Sequence, residues 1–175
     1  VPSSCCPDEV PPGIVSIDWL EQDHAAAPVC LIVPGLTGSS ESAYVRRAAI
    51  GLHESGLRVG CFNPRGRGGN LLSTPFLYSA GYTEDLRRVV RHVRNTFPSA
   101  PISAVGYSLG ASYLAKYCGE EGEACLLTSA CAFACPTDLI SCITQLGASA
   151  SSRFVERFVL VRSVQSVLRE YWETI

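Results

Sequence analysis

The sequence predicts an α/β fold: a mainly parallel sheet with helices on both faces. Three observations predict it. Short apolar runs of strand length alternate with segments of helical periodicity, and Gly and Pro punctuate the joins between them. The chain of 175 residues, 47% hydrophobic and 17% charged, has enough apolar content for one core and not for two domains.

Residues 1–13 are rich in Pro, Ser and Cys without periodicity and read as an irregular lead-in to a core spanning 14–150. From Ile14 to Leu20, Ile and Val alternate with smaller or polar neighbours, the period of a strand. Val29 to Val33 is a continuous apolar run ended by Pro34 and Gly35, which suits a strand buried on both faces. Between Ser42 and Glu54, Val45, Ala48, Ala49 and Leu52 recur at helical spacing, and Gly56 stands where a helix C-terminal cap belongs. Leu57 to Phe62 is the next strand. Thr83 is placed to cap a helix reaching about Asn95, with Leu86, Val89, Val90 and Val93 on one face and Arg87, Arg88, Arg91 and Arg94 on a solvated one. Ile102 to Val105 is a short strand, Leu109 to Cys118 a helix and Ala124 to Cys131 a further apolar strand. In the tail, 151–175, Phe154, Phe158, Val161, Val164, Val167, Leu168 and Tyr171 fit a long amphipathic helix, either a cap element or a surface helix.

Composition excludes several function classes. A net charge of −2 with no clustered positive excess argues against nucleic acid or an anionic membrane surface as the main partner. The segment Asn63-Pro64-Arg65-Gly66-Arg67-Gly68-Gly69, met once between a strand and a helix, reads as a structured loop rather than an RNA-binding repeat. The apolar stretches Ala25 to Leu36 and Ala124 to Cys135 fall short of the roughly 20 residues that cross a bilayer. The chain opens on Val without a basic-then-apolar leader, so no targeting signal is legible. Nine cysteines are an odd number in a chain larger than a disulfide-stapled module, and Cys30, Cys61, Cys125 and Cys131 read as small buried hydrophobes on strands. Cys131 and Cys135 have a spacing that suits a metal, but there is no CxxC pair and no His after Ser108; neither a metal nor a cofactor is expected.

The chemistry concentrates at Gly106-Tyr107-Ser108-Leu109-Gly110, a G-x-S-x-G pattern set between an apolar strand and a helix. Glycines there permit a sharp turn that leaves a serine hydroxyl exposed, and the unpaired N–H groups of the helix start favour negative charge on an attacked oxygen. Ser108 is the candidate nucleophile. The backbone amide of Leu109 is one candidate oxyanion donor, and Pro34-Gly35-Leu36-Thr37-Gly38, directly after a buried strand, offers the amide of Leu36 as the second. That loop lacks the Gly-Lys-Ser/Thr ending of a phosphate-binding loop.

Several spaced motifs carry a family resemblance. They are Ser16-Ile17-Asp18-Trp19, Pro34 to Ser39 with Tyr44-Val45-Arg46, Asn63-Pro64-Arg65-Gly66 with Gly68-Gly69, Thr74-Pro75, Tyr78-Ser79-Ala80, Thr83-Glu84-Asp85-Leu86 and Gly106 to Ala111. From about Ile14 to Leu139 the chain resembles the esterase branch of the α/β-hydrolases, the AB hydrolase 4 family, which includes abhydrolase domain proteins one and three and the plant embryogenesis-associated esterases. The resemblance implies a partial α/β-hydrolase fold lacking its later strands. It also implies a serine carboxylester hydrolase acting on lipid or medium-chain acyl esters, with Ser108 as nucleophile and the Leu36 and Leu109 amides as oxyanion hole. An intracellular setting, with membrane association through an upstream segment, belongs to the same expectation.

Departures are equally specific. In this fold the triad runs Ser, then Asp or Glu, then His, yet His24, His53 and His92 all precede Ser108. Asp138 is expected to cap the next helix rather than to serve as the acid. Ser112 stands where relatives have Asn, and Cys135-Pro136-Thr137-Asp138 where they have Asn-Pro-Phe-Asp. A serine without a proton acceptor is a poor nucleophile, so these 175 residues alone are expected to be weak or inactive. Two explanations stand: a fragment of a complete esterase, or a non-catalytic interaction domain on the same scaffold. The apolar edge left by the strand from Ala124 to Cys131 favours the fragment.

Overall fold

The computed structural model describes residues 12–79, 81–146, 148 and 160–173. Five strands form one sheet in the order β1-β3-β2-β4-β5: β1 Ser16–Leu20, β2 Val29–Val33, β3 Arg58–Asn63, β4 Ile102–Tyr107 and β5 Ser129–Phe133. All neighbours run parallel except β1, which lies antiparallel to β3 with Ser16 opposite Asn63 and Leu20 opposite Val59. The helices are α1 Ala43–Glu54, α2 Glu84–Thr96, α3 Leu109–Glu121, α4 Leu139–Leu146 and α5 Val161–Glu170, with a 3-10 turn over Gly122–Ala124.

The central strand β2 is buried along its whole length, as its unbroken apolar run predicts. Alternate residues serve opposite layers. Val29, Leu31 and Val33 face the cluster made with Phe62, with Leu86, Val89, Val90 and Val93 of α2, and with Tyr113, Leu114 and Tyr117 of α3. Ile32, Val59 and Cys61 meet Val45 and Ala49 of α1 on the other side. Each fully buried Leu or Ile here contributes about 1.5–3 kcal/mol of transfer free energy. Helix α1 ends as its sequence dictates: Gly56, at φ +88°, lets its N–H donate to His53 O at 2.9 Å and that of Leu57 to Leu52 O at 3.2 Å, the Schellman pattern.

Several sequence expectations need correction. The fifth strand is Ser129–Phe133, not Ala124 to Cys131, because Ala124 lies in the 3-10 turn and Cys125, Leu126 and Leu127 pack on the core from a connecting segment. Every residue of β5 is exposed: among the described residues it pairs only with β4. Cys131 is therefore exposed and Cys125 only half-buried, while Cys30 and Cys61 are buried as expected. Thr83 occupies the N-cap position of α2, but its hydroxyl donates to Glu120 rather than accepting a helix N–H. The arginine face of α2 is not uniformly solvated. Arg87 pairs with Glu84, Glu120 and Glu121 at 2.9, 3.1 and 2.5 Å, and Arg94 donates to the carbonyls of Ala100 and Leu126 at 2.9 and 3.1 Å. These bonds tie α2 to α3 and to the segment entering β5. In the tail, α5 is described from Val161, and Phe154 and Phe158 lie outside the described residues, as do most of the lead-in and Ala80.

The loop after β3 is held by buried polar groups. Arg65 forms a two-pronged ion pair with Asp85, Nε to Oδ2 at 2.7 Å and Nη2 to Oδ1 at 2.9 Å, with the rings of Phe76 and Tyr82 near its guanidinium. Asn63, fully buried, accepts from the Ser40 amide at 2.8 Å and donates to Asp18 at 3.0 Å. Gly68 makes room for it, since a Cβ there would fall 2.2 Å from Asn63 Cγ. The segment that resembles an RNA-binding repeat is thus a fixed loop with its first guanidinium buried. Removing one partner of such a pair strands the other charge, so Asp85→Ala is expected to cost about 3–5 kcal/mol in urea unfolding. An unchanged midpoint and slope would contradict the assignment.

Candidate active site

The C-terminal ends of β2 and β4 converge on one turn. Strand β4 ends at Tyr107, α3 starts at Leu109, and Ser108 alone makes the turn at φ +51°, ψ −118°. That conformation is rare for a residue with a Cβ and costs about 1–3 kcal/mol. Neighbouring contacts hold it. The Ser108 N–H donates to Phe133 O at 2.9 Å, and its carbonyl accepts from Ala111 and Ser112 at 2.9 and 3.2 Å. The flanking glycines are required by space: a Cβ on Gly106 would lie 2.5 Å from Gly110 O, and one on Gly110 would lie 2.2 Å from Pro34 O and 2.4 Å from Val33 O. Gly35 is a tight neighbour too, with a Cβ position 3.1 Å from Tyr107 O and 3.3 Å from Ser108 Cβ. The turn and the loop after β2 are therefore in direct contact.

Ser108 is exposed and opens on a cavity of about 600 Å³. Leu36, Leu109, Pro136, Leu139 and Ile143 give the cavity apolar walls, and the thiols of Cys135 and Cys142 line it as well. Leu36 also borders a second, smaller cavity of about 140 Å³ beneath α5, lined by Tyr78, Val164, Val167 and Leu168. Helix α5 is fixed there partly by Tyr171, whose hydroxyl donates to Asn70 O at 3.2 Å. A serine hydroxyl beside apolar walls, at a helix start rich in free N–H groups, can receive an acyl chain and a carbonyl group together.

The three sequence positions, Leu36, Ser108 and Leu109, share one cavity wall. No histidine joins them. His53 Nε2 bonds Glu21 O at 2.7 Å at the opposite end of the sheet, exposed His24 lies in that same region, and His92 borders a groove with Val15, Ile17 and Trp19 outside β1. Asp138 caps α4, accepting from the Ser141 N–H at 3.0 Å and from its hydroxyl at 2.6 Å, bonds that hold its carboxyl below the usual range. Ser112 donates to Pro136 O at 2.9 Å and so ties α3 to the segment that walls the cavity. Sequence reasoning did not assign roles to Cys135, Cys142, Tyr44 or Tyr78. Cys135 follows β5 and Cys142 lies on α4, and no local pattern in the sequence marks either as facing the cavity.

The match to known proteins is extensive. The model of the Hydrolase_4 family, described as serine aminopeptidase, S33, covers residues 24–173. The chain belongs to that family. It is 38% identical over 138 residues to the embryogenesis-associated protein EMB8 of Picea glauca, covering 73% of this chain and 30% of that protein. It is 36% identical over 141 residues to the phospholipase ABHD3 of Homo sapiens (77% and 34%), and 39% over 118 residues to a monoacylglycerol lipase of Saccharomyces cerevisiae (65% and 26%). The chain thus spans about a third of the length of the first curated relatives it matches. Among solved structures, the esterase Est1E of Butyrivibrio proteoclasticus in its ferulic-acid complex superposes with a TM-score of 0.62 at 16% identity, over 80% of this chain and 57% of that one. The esterase Pf2001 of Pyrococcus furiosus gives 0.60 at 21%, over 72% and 48%. These structures bear out the partial α/β-hydrolase fold.

The strain at Ser108 and the crowding at Gly110 make opposite predictions for two substitutions. Ser108→Gly relieves the positive φ and, after glycine's own entropy cost of about 0.5–1 kcal/mol, is expected to stabilise the fold by about 1 kcal/mol. Gly110→Ala forces α3 away from β2 and is expected to destabilise it by about 1–3 kcal/mol or more. Thermal melts of the two variants beside the parent check both signs.

Proposed function

We propose that the protein is a serine carboxylester hydrolase acting on lipid or medium-chain acyl esters. The observation that carries this reading is Ser108 itself: exposed, held at φ +51° on a strand-to-helix turn, and set on an apolar cavity beside Leu36 and Leu109. The names of the similar proteins, phospholipase and monoacylglycerol lipase among them, support an ester substrate.

In the proposed reaction, Ser108 Oγ attacks the ester carbonyl carbon while its proton passes to a general base. The carbonyl oxygen takes up negative charge and is stabilised by the amides of Leu36 and Leu109. The tetrahedral species collapses, the alcohol leaves with a proton returned by the base, and an acyl-serine remains. Water, deprotonated by the same base, then releases the carboxylic acid and restores the serine. The base is not a histidine of these 175 residues, because none of the three borders the cavity. In this reading it comes from sequence beyond them or from another chain.

The test is hydrolysis of p-nitrophenyl esters of graded chain length by the full-length gene product and by its Ser108→Ala variant. Loss of turnover in the variant, by about 10³-fold or more, is expected. The 175-residue chain alone should hydrolyse these esters and react with a fluorophosphonate probe only slowly. Equal turnover by parent and variant would remove the proposal, and a full-length product that neither hydrolyses these esters nor takes up the probe would favour a non-catalytic interaction domain.

A further inference from the structure

We propose that Tyr44, assisted by Tyr78, is a positioning residue for the oxyanion loop: the two phenols grip opposite ends of one peptide group and so set the direction of the next amide, that of Leu36. This inference rests on the ester-hydrolase reading of Ser108.

The peptide group joins Pro34 to Gly35. Its N–H donates to the Tyr44 hydroxyl at 2.8 Å, and its carbonyl oxygen accepts from the Tyr78 hydroxyl at 3.4 Å. A peptide unit is planar, so fixing both its N–H and its C=O fixes its rotation about the chain; the next unit, Gly35–Leu36, is separated from it only by the two torsions of Gly35 and is held at its own carbonyl, which sets the direction of the Leu36 amide. The loop is closed on the far side by Gly38, whose N–H donates to Gly35 O at 2.9 Å. Gly38 also makes space for the phenol, because a Cβ there would stand 2.6 Å from the Tyr44 hydroxyl oxygen. Thr37, between them, sits at φ +59°. A strained loop needs outside partners to persist, and the two tyrosines are those partners.

The same ring reaches the nucleophile turn. Tyr44 meets Tyr107, the residue before Ser108, edge-on with centroids 5.4 Å apart, and Tyr107 in turn contacts Phe133, centroids 5.6 Å apart. Tyr44 therefore couples the two segments whose amides would share the oxyanion. Tyr78 is anchored from behind by an edge-on contact with buried Tyr113, centroids 5.2 Å apart. Burial pushes both phenols above their ordinary range, so each keeps its proton at neutral pH and Tyr78 remains a donor.

Tyr44 is 41% exposed, which suits a test that removes one oxygen without opening the core. In the full-length gene product, Tyr44→Phe is expected to lower kcat for p-nitrophenyl butyrate by about 10- to 100-fold while KM stays within twofold, because a misdirected donor harms the transition state more than substrate binding. Tyr78→Phe removes the longer bond and is expected to give a smaller loss of the same kind. Circular dichroism and melting temperature report folding of each variant. A folded Tyr44→Phe protein with parental kcat, or with the loss confined to KM, would overturn the inference. Loss of the fold in both variants would overturn it too, since the phenols would then be structural. Parental turnover in Ser108→Ala would instead remove the ester-hydrolase reading, and the two failures are thereby distinguished.

Discussion

The architecture of the site depends on a contact that admits no side chain. Helix α3 begins so close to the end of β2 that the carbonyls of Val33 and Pro34 occupy the space a Cβ on Gly110 would need. This closeness brings the loop after β2 beside the turn after β4, although the two are more than seventy residues apart in the chain. A parallel sheet collects the carboxyl ends of its strands on one edge, where ligands of open α/β folds bind. Here β2 and β4 are direct neighbours, with Val33 opposite Gly106, so the two loops emerge side by side. The strained serine, its apolar surroundings and the adjacent amides all follow from that register.

Around this contact the molecule uses buried polar groups to fix loops that hydrophobic packing cannot specify. Asn63 binds backbone and side-chain partners on two segments, and Arg65 reaches Asp85 at the start of α2. Charges at 2% and 11% side-chain exposure carry a desolvation cost that their mutual attraction does little more than offset. What they supply is a single path for residues 64–78, the stretch that ends in Tyr78 beside the loop after β2.

Legibility in the sequence followed the range of the forces involved. Strand β2, the stripe of α2 and the Gly56 cap are set by neighbours within a few residues, and periodicity exposes them directly. The Gly-x-Ser-x-Gly turn was readable for the same reason, since its steric demands are local. The start of β5 was not. Cys125 to Leu127 are as apolar as the strand after them, and only their packing beneath α3 separates the two. Arg87 and Arg94 looked solvated because, Glu84 apart, their carboxylate and carbonyl partners lie more than thirty residues onward or past the end of α2. Tyr44 and Tyr78 stand in recognisable motifs, but a phenol that holds a peptide group across a loop has no period and no spacing.

Helix α5 completes the wall beside Leu36 from the far end of the described chain, more than 120 residues after the loop it covers. In vectorial synthesis the strands and the turn at Ser108 emerge from the ribosome before that helix. Until α5 arrives, the apolar side chains of Leu36, Leu77 and Tyr78 that it covers lack that partner.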